Sequence, residues 1–143
     1  MADDCVFCGI AAGERPASVV YEDDTAIAFM TRGPVTEGHT LVIPKAHYAF
    51  WSDVPEAVTA HLYVIAQRVA EAIRRSGLRC EGINIFLADG AAAFQEVFHY
   101  HVHVFPRYVG DPFKLDADWS IHPERAELDA VADRIRSAYL EQP

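Results

Sequence analysis

The run from Phe98 to Arg107, FHYHVHVFPR, places His99, His101 and His103 at every second position and fills the gaps with apolar residues. Side chains on a β-strand alternate faces. Read as a strand, this run puts three imidazoles on one face and Phe98, Tyr100, Val102 and Val104 on the other. The apolar face can be buried, and the imidazoles then line something. Histidine is the commonest metal ligand, but strand geometry argues against one ion held by all three. At a rise of about 3.3 Å per residue, the Cα atoms of His99 and His103 stand about 13 Å apart. Divided roles suit the spacing better: one imidazole as nucleophile or base, a neighbour orienting it, and another meeting an anionic ligand group.

A second chemistry-bearing set is Cys5-Val6-Phe7-Cys8. A lone CxxC is half of a zinc site, a redox pair, or two small buried hydrophobes. Cys80 has no partner in sequence, and three cysteines are too few for a disulfide scaffold.

The elements that must position these groups read as follows. Val19-Val20-Tyr21 and Thr25 to Thr31 predict a hairpin about Glu22-Asp23-Asp24. His39-Thr40-Leu41-Val42-Ile43 is a β-rich run closed by Pro44. From Pro55 to Ser76, Val58, Leu62, Ile65, Val69 and Ile73 recur at helical spacing, with Asp53 as a candidate cap and Gly77 as the stop. Its other face carries Gln67, Arg68, Glu71 and Arg74, so the helix covers a core on one side. Ile83 to Leu87 predicts another core strand. The small-residue loop Asp89 to Glu96 then precedes the histidines, either because backbone approaches a ligand there or as a flexible connection. Asp116 to Ile121 is irregular, and a last helix over Pro123 to Glu141 turns Leu128, Val131 and Ile135 inward. Clustered strands with separated helices predict an antiparallel α+β fold.

At 143 residues the chain is expected to form one domain, with the C-terminal helix part of it. A net charge of −9 argues against a nucleic acid partner, which needs a basic footprint. A small anionic ligand remains open to a pocket rich in donors. No apolar run reaches the roughly 18 residues of a spanning helix, and the opening residues lack the basic stretch of a signal peptide, so a cytoplasmic location without membrane attachment is expected.

Three ordered blocks, Cys5-Val6-Phe7-Cys8-Gly9-Ile10, Gly38-His39-Thr40-Leu41-Val42-Ile43-Pro44-Lys45, and Gln95-Glu96-Val97-Phe98 followed by the alternating histidines, resemble the histidine triad (HIT) superfamily, in its bacterial form. The resemblance implies a five-stranded antiparallel sheet with two main helices, usually in a homodimer. It implies a hydrolase or transferase that binds a purine nucleotide, as a phosphoramidate or dinucleoside polyphosphate. The middle histidine, His101, would attack the α-phosphorus, and water or another acceptor would resolve the nucleotidyl-histidine. The backbone carbonyl of His99 would fix the tautomer of His101, His103 and Gln95 would touch the phosphate, and His39 would lie nearby. Ile10, Phe29, Thr31 and Glu96 fall at nucleotide-binding positions. These donors could stabilise the developing charge without a catalytic metal. In some bacterial members the CxxC pair, the histidine after the PK motif and the first triad histidine hold a structural zinc; those positions are Cys5, Cys8, His47 and His99.

The chain departs from that pattern at four places. Thr31 stands where an aspartate commonly accepts from both ribose hydroxyls, and Ala88 where an amide usually contacts phosphate or leaving group. Phe94 takes a frequent glycine position, and Glu96 a frequent serine or threonine position. A rival reading is therefore a nucleotide-binding or interaction protein with weak turnover. A third, a metal-centred hydrolase or oxygenase using the triad as ligands, is disfavoured by the strand geometry. His61 and His122 lie outside the matched blocks and read as packing residues.

Overall fold

The computed structural model describes residues 4–141. The chain forms two compact units, one ending at Phe113 and the other beginning at Lys114. The first unit carries a five-stranded sheet in the order β1-β2-β3-β5-β4, antiparallel throughout: β1 Val19–Glu22, β2 Ala26–Met30, β3 Thr40–Pro44, β4 Gly82–Leu87 and β5 Val102–Arg107. Two helices belong to this unit, α1 Val6–Ala11 and α2 Glu56–Arg75.

The central strands are buried on both faces, which is why they read as continuous apolar runs. Ala26 and Ala28 of β2, Val42 of β3, and Val102 and Val104 of β5 face α2, whose Leu62, Ile65, Val69 and Ile73 close that core. The intervening residues Ile27, Phe29, Leu41 and Ile43 point to the opposite face and pack with Phe7 of α1. Alanines on the α2 side let a twenty-residue helix approach the sheet, while the larger Phe29 and Leu41 occupy the more open face. Gly77, at φ +86°, follows α2 in the left-handed conformation that stops a helix. Asp53 does not cap α2. It closes a short 3-10 turn, Trp51–Asp53, accepting from the Phe50 amide at 3.3 Å, and Pro55 takes the cap position.

The histidine run also differs from its expected form. Strand β5 begins only at Val102, so His99 and His101 precede it. The reason is a side chain competing with backbone: the Pro44 carbonyl, at the end of β3, accepts from the His99 ring at 2.8 Å, and the Tyr100 amide donates instead to Tyr48 O at 2.6 Å. The two-residue alternation nevertheless persists, because Tyr100, Val102 and Val104 all enter the α2-side core. Phe98 does not follow them; it is exposed and packs edge-on against Phe50, centroids 5.7 Å apart.

In the second unit, α3 spans Arg125–Leu140, and the Glu124 amide at its start donates to the Glu127 carboxylate at 2.8 Å. Leu128, Val131 and Ile135 do not turn inward: they are 42, 52 and 65% exposed. A lone amphipathic helix has no second element within its own unit on which to fold its apolar stripe. Among the described residues, no helix is long and apolar enough to cross a membrane.

Candidate active site and metal-binding cluster

Strand register assembles the site on the sheet face shared with α1. Phe29 pairs with Leu41, Leu41 with His103, and His103 with Phe86, so these four residues form one row across β2, β3, β5 and β4. Two residues along the chain, a second row holds Thr31, whose amide donates to His39 O at 3.4 Å, then His39, whose ring lies 4.1 Å from that of Phe105. His101 completes the group, its ring centroid 4.8 Å from that of His103.

Hydrogen bonds settle which ring nitrogens carry protons. A carbonyl only accepts, so the 2.6 Å contact between His101 Nδ1 and His99 O puts the proton on Nδ1 and leaves a lone pair on Nε2. His39 Nδ1 accepts from the Val35 amide at 3.3 Å, so its Nε2–H donates to His103 Nδ1 at 2.9 Å. Neutral His103 must then carry its own proton on Nε2. Adjacent imidazoles therefore offer opposite chemistry, a lone pair on His101 and a donor on His103. Burial holds all of these rings toward the neutral form. It lowers the His101 pKa from its ordinary value, against the opposing hydrogen bond to His99. It lowers His39 to about 4 and His103 to about 3, with repulsion from neighbouring imidazoles adding to the effect.

His99 faces the other way. Its Nε2–H donates to Pro44 O, so its Nδ1 lone pair points at sulfur, 3.5 Å from Cys5 Sγ and 3.6 Å from Cys8 Sγ. His47 Nδ1 lies 3.3 Å from Cys8 Sγ. The four ligand atoms of Cys5, Cys8, His47 and His99 all fall within 4.8 Å of one another. A zinc with bonds of about 2.3 Å to sulfur and about 2.0–2.1 Å to nitrogen needs ligand atoms roughly 3.5 Å apart at the corners of a tetrahedron. The donor set, its spacing and the unprotonated nitrogen of His99 all fit such an ion, and the backbone carbonyl bonded to His99 is the usual orienting partner of a metal-binding histidine.

Between α1 and β2 lies a cavity of about 710 Å³ lined by Val6, Phe7, Ile10, Phe29, Leu41 and Val97, with Ser18, Thr31 and Arg32 supplying polar groups. Of the expected nucleotide-binding residues, Ile10, Phe29 and Thr31 line it. Phe7 joins cavity to triad, since its ring stands edge-on to His101 at 5.2 Å. Sequence reasoning missed Phe7 and Arg32. The i, i+3 spacing of Phe7 and Ile10 on a short helix could have shown the first; nothing but adjacency to Thr31 marks the second.

The loop before the triad is pinned rather than slack. Gln95 is buried and spends its amide within the protein: Oε1 accepts from the Gly90 amide at 2.7 Å, and Nε2 donates to Ala49 O at 2.8 Å and Val97 O at 3.3 Å. Glu96 is exposed, and Ala88 is buried beside β4. Phe94 is the one described non-glycine residue with positive φ, at +67°, and is 82% exposed. Outside the site, His61 pairs with Asp23 at 2.7 Å, in keeping with a structural role.

Residues 12–110 match the HIT domain family. A HIT-like protein of Mycobacterium tuberculosis is 47% identical over 138 residues, covering 96% of this chain and 94% of its own. An adenylylsulfatase of Arabidopsis thaliana is 34% identical over 137 residues, covering 96% of this chain and 68% of its own. Among solved structures, a Zn-bound histidine triad family protein from Mycobacterium smegmatis is 43% identical, with a TM-score of 0.75, covering 94% of this chain and 97% of that one. With a five-stranded antiparallel α+β fold, His99 and His101 just before the internal strand β5, His103 within it, and matches over most of its length, the chain belongs to the histidine triad family.

Proposed function

We propose that the chain is a nucleotidyl hydrolase or transferase that cleaves a purine nucleotide substrate at its α-phosphate. The observation that carries this reading is the pair of opposed tautomers: a lone pair at His101 Nε2 beside a donor at His103 Nε2. The base enters the apolar part of the cavity, between Ile10, Phe29, Leu41 and Val97, and the α-phosphate reaches past Phe7 to the histidines. His101 Nε2 attacks phosphorus, the bond from phosphorus to the leaving group breaks, the leaving group departs with that electron pair and a proton from solvent, and a nucleotidyl-histidine remains. The His99 carbonyl, holding Nδ1–H, stabilises the positive charge the ring acquires. His103 Nε2–H meets the developing charge on the phosphate oxygens, and His39 holds His103 in that tautomer. Attack by water at the same phosphorus, its proton passing to solvent, then breaks the Nε2–phosphorus bond, releases the 5′-monophosphate and restores neutral His101; another acceptor in place of water makes the reaction a transfer. A neutral imidazole nucleophile suits pH 7, and burial keeps it neutral.

Cys5, Cys8, His47 and His99 would hold a structural zinc, which would tie α1 to the triad segment. With two sulfurs and two nitrogens as its ligands, such an ion would serve structure and would not take up a reacting water. A homodimer belongs to the same reading. It is supported by the open edge of β4 and by a groove of about 520 Å³ lined by Tyr63, Val64, Ile83 and Ile85.

The test is turnover on a panel of nucleoside phosphoramidates and dinucleoside polyphosphates, for the native protein and His101→Ala. Cleavage that releases the 5′-monophosphate, lost by orders of magnitude in the variant, is expected. Tight nucleotide binding with no turnover on any member would instead make this a binding protein.

A further inference from the structure

The cavity has a polar corner whose charge is unusual for a site that would hold a sugar. Its lining includes two hydroxyl side chains, Ser18 and Thr31, and one cation, Arg32, but no carboxylate. Among the described residues, no acid forms an ion pair with Arg32; the paired cations are Lys45, His61, Arg74, Arg79, Arg107 and Arg136. Arg32 is exposed, so its guanidinium is free to turn toward the cavity mouth. The rest of the wall is apolar apart from backbone.

If the base fills the apolar wall and the reacting phosphate meets the histidines, as proposed above, the sugar falls at this corner. Thr31 is fixed there by the hydrogen bond its amide N–H donates to the His39 carbonyl, and the Gly33 amide donates to the Thr31 hydroxyl at 3.4 Å. A neutral sugar needs acceptors for its hydroxyl protons, and a carboxylate would supply two strong ones. Here stand instead two hydroxyls, which donate as well as accept, and a cation that only donates, a set that matches an anion better than a diol. A cavity of about 710 Å³ also lies well inside the range of about 300–1,000 Å³ of pockets that bury sizeable ligands.

We propose that the preferred ligand of this pocket is a nucleotide carrying a second phosphate on its sugar, at the 2′ or 3′ oxygen, bound by Arg32 with help from the Thr31 and Ser18 hydroxyls. The inference rests on the nucleotide reading of the site and names its substrate class. Such a phosphate would be retained through the reaction, since the bond broken lies at the α-phosphorus.

Calorimetric titration with adenosine 5′-monophosphate, adenosine 2′,5′-bisphosphate and adenosine 3′,5′-bisphosphate tests it, on the native protein, Arg32→Ala and Thr31→Asp. The native protein should bind one bisphosphate about tenfold or more tightly than the monophosphate, the better isomer identifying the sugar position. That preference should shrink with added salt and fall close to unity in Arg32→Ala. In Thr31→Asp it should reverse, because a carboxylate accepts from free hydroxyls and repels phosphate. Equal affinities for all three ligands in the native protein, or a preference that survives Arg32→Ala, would overturn the inference while leaving a nucleotide site standing. Failure of all three to bind would overturn the nucleotide reading, and this inference with it.

Discussion

At the scale of single residues, the chemistry depends on where two protons sit. The spacing of His99, His101 and His103 was legible in the sequence, and so was the expectation that they would not all share one ion; of the three, only His99 joins the cysteine cluster. Which nitrogen of each ring is protonated was not legible beyond the resemblance. The Val35 amide sets the His39 tautomer from four residues away, but its effect on His103 passes through a contact between separate segments. The same burial that keeps the rings neutral makes them an acid liability. His39 and His103 hold pKa values of about 4 and about 3, against an ordinary value of 6.5. The unfolded chain therefore takes up protons near pH 6.5 that the folded protein refuses until much lower pH. The stability contributed by these two groups is complete above about pH 6.5 and is lost as pH falls toward 3–4, at up to about 1.4 kcal/mol per pH unit for each. His101 and Phe105 face the same pair and add no counter-charge. Urea denaturation from pH 7.5 to 4 should show a shallower acid loss for His39→Asn than for the native protein. Parallel curves would mean that the pair titrates normally.

At the scale of elements, α1 is the piece whose position needs explanation, since a six-residue helix is too short to hold itself. Its Phe7 packs on Phe29, His99 and His101 at 5.6, 5.9 and 5.2 Å, and Cys5 at its start and Cys8 within it meet His47 and His99. In the sequence, CxxC alone left metal, redox and packing readings open. The other half of the set, His47 and His99, lies 39 and 91 residues beyond Cys8 and became visible only through the family resemblance. The start of β5 was misread for a related reason: the His99 ring takes a carbonyl that periodicity assigns to backbone. Elemental analysis of untagged protein should find about one zinc per chain. Chelation should lower the melting temperature, and added zinc should restore it, whereas Cys8→Ser should melt low with or without zinc. A metal-free protein whose melting is indifferent to zinc would remove the ion from the account.

At the scale of the whole molecule, the central strands and the buried face of α2 follow from patterns visible in the chain: continuous apolar runs in β2 and β3, and helical spacing in α2. The apolar stripe of α3 was equally visible, but periodicity says only that a face needs covering, not by what, and Leu128, Val131 and Ile135 are exposed in the single chain. Ile85, on the edge strand and 40% exposed, lines the groove with Tyr63 and Val64. In the proposed homodimer this edge and groove meet their counterparts. Sedimentation should give a dimer mass for the native protein and a monomer mass for folded Ile85→Glu, because a buried unpaired carboxylate is strongly unfavourable. A monomeric native protein, or a variant that still dimerises, would locate the association elsewhere or abolish it.

The proposed reaction turns on a bond formed between His101 Nε2 and phosphorus. Rapid acid-free quenching of the native protein with an α-³²P-labelled nucleoside phosphoramidate, followed by peptide mapping, measures it directly. Label should appear on the peptide containing His101, formed and discharged at rates consistent with turnover, and none should appear in His101→Ala. Turnover that proceeds with no labelled histidine, or at near-native rate in His101→Ala, would contradict it.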